Sequence, residues 1–211
     1  MMRQRIFLAD DHSLLLEAFS KLLETKYDIV GTATDGRKML AAVSKLKPDV
    51  VLMDIAMPNL NGFDAGEKLK KMLPDVKLVF LTVNEDPEMV TEAFRIGANG
   101  YLLKNSAASE LFQAIEAVLS SKNYVTPKLT EGMISSFIKN PGGEKVHGNL
   151  SIRQREVLQL LAEGHTMKQV AANLNITPRT VAFHKYQIMD DLGIKTNSEL
   201  IQYAIKHGIV S

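Results

Sequence analysis

Short apolar runs alternate with amphipathic stretches through the first 122 residues. Strand-like runs lie at Arg5–Ala9, Tyr27–Ala33, Val50–Met53, Leu78–Leu81 and Gly100–Leu103. Between and after them come stretches of helical period at Ser13–Glu24, Gly36–Leu46, Asn61–Leu73, Pro87–Ile96 and Ala107–Ser121. Val50 to Met53 is unbroken and apolar, as a central strand buried on both faces must be. Strand and helix in alternation demand right-handed crossovers. The pattern therefore predicts an α/β fold, a doubly wound five-stranded parallel sheet over residues 1–122.

The pattern changes afterwards. Residues 123–147 read as a linker, with a helix predicted at Leu129–Lys139 and a hinge at Pro141-Gly142-Gly143. From 148 to 211 only helices are predicted. Ser151 with Gln154, and Thr196 with Glu199, have the spacing of capping boxes. Thr177 followed by Pro178 starts the long helix Pro178–Leu192. It follows a short helix, Met167–Leu174, across a tight turn, which is the outline of a helix-turn-helix. Its expected exposed face offers Arg179, Thr180, Ala182, Phe183, His184, Lys185 and Tyr186. Helical spacing alone leaves DNA binding and protein binding level for this small domain.

Chemistry gathers where strands end, because open α/β sheets bind ligands at the carboxyl ends of their strands. Strand one ends in Asp10-Asp11, strand three in Asp54, strand four in Thr82 and strand five in Lys104. Three acids converging there repel one another unless a hard divalent cation lies among them, and oxygen ligands favour magnesium. Metal and ammonium together make a receptor for a phosphoryl group.

Composition narrows the classes further. Of 211 residues, 45% are hydrophobic and 23% charged, as in ordinary globular chains, and no apolar run reaches the length of a membrane span. No membrane partner and no secretory leader are expected. The absence of cysteine excludes disulfides and thiolate chemistry. A net charge of +1 means that no global basicity advertises nucleic acid.

With these motifs in place, residues 1–122 resemble the receiver domain of two-component response regulators. The carrying residues are Asp10-Asp11, Asp54 with Met57-Pro58 and Gly62, Thr82 and Lys104. The resemblance implies a flavodoxin-like receiver in which Asp54 accepts a phosphoryl group from a histidine kinase. It also implies magnesium held by Asp11, Asp54 and the backbone carbonyl of Ala56, with Asp10 acting mainly through water. Lys104 would pair with the phosphoryl group, Thr82 would swing toward it, and Tyr101 would be the switch aromatic. Asn105 departs from the proline that many receivers carry there.

The second half resembles the LuxR-type output domain, through Leu150-Ser151, Glu156-Val157-Leu158, Pro178-Arg179-Thr180-Val181 and Leu192-Gly193. Glu156 is implied to tie helices together. Many members carry a basic residue where Ala182 and Phe183 stand, which points to apolar readout such as thymine methyls. The order of domains resembles regulators of the NarL/FixJ type. That implies a cytoplasmic homodimer that binds double-stranded DNA and is not itself an enzyme, dimerising through the last helix, Asn197–His207. A phosphatase of the haloacid dehalogenase type would want an acid at Ala56. A regulator that binds DNA regardless of phosphorylation is the other alternative.

Overall fold

The protein is described by a computed structural model covering residues 3–106, 108–130 and 150–210. The first unit alternates β1 (Arg5–Ala9), α1 (Ser13–Leu23), β2 (Asp28–Ala33), α2 (Gly36–Leu46), β3 (Val50–Asp54) and α3 (Gly62–Met72). It continues with β4 (Lys77–Thr82), α4 (Pro87–Arg95), β5 (Gly100–Leu103), α5 (Ala108–Leu119) and β6 (Tyr124–Val125). All pairings are parallel, and the strand order is β2-β1-β3-β4-β5-β6. The sheet thus has six strands rather than five. The sixth escaped the sequence reading because two residues are too short to show a period.

Every residue of β3 is buried, and its alternation feeds two cores. Val51 and Met53 pack with α2, α3 and α4 through Met39, Phe63, Leu69 and Val90. Val50 and Leu52 pack with α1 and α5 through Leu16, Leu23, Leu111 and Ile115. Helices therefore cover both faces of the sheet.

The second unit holds α6 (Ile152–Ala162), α7 (Met167–Leu174), α8 (Pro178–Asp191) and α9 (Asn197–Lys206). Val157, Leu160, Val170, Leu174, Val181, Ile188, Leu200 and Ala204 form its core. Both predicted capping boxes close, and a third joins Thr166 to Gln169 at the start of α7. The Thr177 hydroxyl caps α8 by accepting from the Thr180 N–H, with Pro178 in the first turn. The expected hinge at Pro141-Gly142-Gly143 and most of the helix expected at Leu129–Lys139 lie outside the described residues.

Candidate functional site

The acids predicted at the strand ends do meet. Asp10, Asp11, His12 and Asp54 each offer a ligand atom within 4.8 Å of one another. Asp10 and Asp54 are almost wholly buried, at 2% and 3% exposure. The Lys104 ammonium answers both, 2.6 Å from Asp10 Oδ2 and 2.8 Å from Asp54 Oδ2. Asp54 Oδ1 accepts from the Ile55 N–H at 2.8 Å. Burial pushes the Asp54 carboxyl above its ordinary pKa, and Lys104 only tempers the rise. Burial alone would lower the Lys104 ammonium; Asp10 and Asp54 outweigh it and hold the pKa up. One cation thus serves two buried acids, with Asp11 beside them and more exposed. Carboxylate oxygens crowded in this way suit a hard divalent cation, so the donor set fits a metal. His12 Nδ1 lies 2.7 Å from Asp11 Oδ1, a partner that sequence reasoning did not single out.

The loop after β3 shapes the site. Asn59 takes a left-handed φ of 64°, and Asn61 caps α3 by accepting from the Asp64 N–H at 2.9 Å. Gly62 is required by close approach, since a Cβ there would stand 2.2 Å from the Asp54 carbonyl oxygen. Beside this loop Thr82 ends β4, and its hydroxyl accepts from the Asn84 N–H. The Tyr101 ring is fully buried, and its hydroxyl donates to the Asn84 carbonyl at 3.0 Å. Burial drives the Tyr101 phenol far above its usual pKa.

On α8 the predicted face is partly corrected. Phe183 and Tyr186 are exposed at 61% and 62%, Arg179 is exposed, and Thr180, Ala182 and His184 are intermediate. Lys185 is buried at 9%, so it does not belong to the open face. It lies four residues after Val181 and three before Ile188, both in the core, and that spacing turns it inward. Its ammonium rests 5.6 Å from the centre of the Tyr186 ring. His184 stacks edge-on against Phe183.

Sequence reasoning missed that the two units dock. Arg155 Nε donates to Asp64 Oδ1 at 2.6 Å, and its Nη2 reaches Glu67 at 3.1 Å. Glu156, read as an acid tying helices, pairs with Arg153 on its own helix and with Lys68 and Arg37 of the first unit. The Gln159 carboxamide, fully buried, donates to the Met57 carbonyl and accepts from the Asn61 N–H, both at 2.8 Å. Gly208 lies so close to α4 that a Cβ there would meet Met89 Cε at 2.2 Å. A cavity of about 190 Å³ remains between Asp11, Ala56 and Pro58 on one side and Glu163, Ile201 and Ile205 on the other. The one signal in the sequence was a run of polar residues, Arg155, Glu156 and Gln159, interleaved with the apolar face of α6.

Comparison with known proteins identifies both units. Residues 6–116 match the response regulator receiver domain, and residues 148–204 match the bacterial regulatory proteins of the luxR family. The oxygen regulatory proteins NreC of Staphylococcus carnosus and Staphylococcus aureus (strain MRSA252) are 36% and 37% identical, over 96% of this chain and 97% of theirs. The RcsB response regulator of Salmonella typhimurium superposes with a TM-score of 0.60 at 26% identity, covering 97% of this chain and 99% of that one. A structure of two RcsB dimers bound to two parallel DNAs also gives 0.60, at 25% identity over 97% of this chain and 98% of that one. Receiver followed by luxR-type helix-turn-helix spans nearly the whole chain, which belongs to the two-component response regulators of the NarL/FixJ type.

Proposed function

We propose that this regulator is switched by phosphorylation of Asp54 by a histidine kinase and then binds a two-half-site operator as a homodimer in the cytoplasm. The observation that carries the reading is the buried pairing of Lys104 with both Asp10 and Asp54 at the rim of the sheet. In the transfer, an Asp54 carboxylate oxygen attacks phosphorus and the new O–P bond forms. The P–N bond to the donor histidine breaks, and its electron pair leaves on the imidazole. Lys104 stands ready to neutralise charge on the transferred group. Asp11, Asp54 and the Ala56 carbonyl would hold magnesium, with Asp10 beside them, and the bound metal supplies charge neutralisation at the phosphoryl oxygens. Thr82 then orients toward the modified acid, and Tyr101 reports that movement along β5.

We assign the receiver unit to residues 1–122, the linker to 123–147 and the DNA-binding unit to 148–211. In the DNA-binding unit, Arg179, Thr180 and the amino terminus of α8 suit phosphate contacts. Ala182, Phe183 and Tyr186 suit base edges, while His184 and Lys185 support that face from beside and beneath it. α9 supplies the dimer contact.

A second reading, DNA binding without phosphorylation, draws on the openness of Phe183 and Tyr186 in the docked arrangement. Labelling with acetyl phosphate separates the two. Wild type takes up a phosphoryl group, Asp54→Ala does not, and labelling tightens DNA binding. Equal labelling of the two removes Asp54 from its role; unchanged DNA affinity after labelling selects the second reading.

A further inference from the structure

The loop that leaves Asp54 is not held by the receiver unit alone. Residues 57–61 are gripped from outside by α6 of the other unit and its C-cap, through the Gln159 carboxamide and the Glu163 carboxylate. Both amide hydrogens of Gln159 are used, one on the Met57 carbonyl at 2.8 Å and one on Glu163 Oε1 at 2.7 Å. Its oxygen accepts from the Asn61 N–H at 2.8 Å. Glu163 completes the grip by accepting from the Asn59 N–H at 3.1 Å. Gln159 is fully buried, so no solvent competes for its bonds to Met57 and Asn61. Three alternate residues of one loop, Met57, Asn59 and Asn61, are thereby bonded to one helix.

The gripped run begins one residue after Ala56. A carbonyl ligand is only as well aimed as the peptides that follow it, and groups that orient ligands from behind commonly change metal affinity about 10-fold or more. An ungripped loop carrying left-handed Asn59 must be ordered when a cation arrives, whereas a gripped loop has been ordered already.

We propose that Gln159, a residue of the DNA-binding unit, is a positioning residue for the receiver's cation site: through the Met57–Asn61 loop it raises the receiver's affinity for a divalent cation. This rests on the reading that Ala56 and the acid cluster take magnesium. Output and receiver then share one piece of backbone, and linkage makes the effect reciprocal: cation occupancy strengthens docking by the same factor.

The test is magnesium titration of the full chain by calorimetry, wild type against Gln159→Met, which keeps the bulk of the side chain and removes its polar atoms. The variant is expected to bind magnesium about 10-fold more weakly. Acetyl phosphate labelling adds a second readout. The magnesium concentration for half-maximal labelling rises by the same factor, while the rate at saturating magnesium stays as in wild type. Equal magnesium affinity in the two proteins overturns the assignment. A lower rate at saturation together with a lost melting transition also overturns it, because Gln159 then serves folding only. Wild type that takes no magnesium overturns the site reading, and this inference with it.

Discussion

Lys104 is the residue on which the rim of the sheet depends. Among the described residues it is the one ammonium within ion-pair reach of two carboxylates that are each almost sealed from water. Removing one partner of a buried ion pair costs about 3–5 kcal/mol, because the charge left behind has no solvent to replace it. Lys104→Met is therefore expected to lower unfolding stability by about 3 kcal/mol in urea titration. Adding Asp54→Asn to that variant should restore part of the loss, since one uncompensated acid is removed and Asp10 remains. If the double variant is less stable than Lys104→Met alone, the repulsion assigned to these acids is wrong. Asp10, Asp54 and Lys104 were each legible in the sequence, because a strand end places a side chain wherever the fold places the strand. The closeness of Gly62 to the Asp54 carbonyl was not legible, since it depends on how the loop folds back.

At the scale of elements, the first five strands and the helices of the receiver followed from periodicity, and their bounds differ by a residue or two. α8 was legible in extent but not in rotation. Its amino-terminal signals, Thr177 and Pro178, say where the helix begins, not which side of it the core will cover. The core chose Val181, Lys185 and Ile188, leaving Phe183 and Tyr186 as the large exposed apolar groups of the helix. Two aromatic rings a single turn apart meet the floor of a major groove best where thymine methyls line it. Duplexes selected by the labelled protein from a random pool should therefore carry thymines in each half-site. Replacing those thymines by deoxyuridine, which deletes only the methyl, should weaken binding about 10-fold, near 1.4 kcal/mol. Phe183→Ala should bind both duplexes alike. Full sensitivity to the methyl in that variant would assign the contact to another side chain.

Across the whole molecule the unforeseen feature is docking, and it was hidden because a charged residue on a helix looks the same whether it meets water or another unit. Glu156 shows what the contact does. Its carboxylate is held by Lys68 at 2.6 Å, Arg153 at 2.9 Å and Arg37 at 3.5 Å, with two of those cations from the receiver. Burial alone would raise its pKa; the three cations outweigh burial and hold it below the ordinary 4.5. A carboxyl whose folded pKa is depressed contributes stability that is fully present above the unfolded value and is lost as pH falls through the folded one. Asp64 runs the other way: burial raises its pKa despite Arg155, so its share weakens as pH climbs from the acid side. Comparing wild type with Glu156→Gln reads chiefly the first effect, because Asp64 stays in both proteins and loses only its repulsion by Glu156, the smallest of the influences on it. At pH 7 the variant leaves Lys68, Arg37 and Arg153 without their anion and should melt at the lower temperature. As pH drops below 4.5 the gap should narrow, closing once Glu156 itself is protonated in the folded protein. A gap that stays constant from pH 7 down to the acid limit of folding would mean that the carboxylate's charge contributes nothing to holding the two units together.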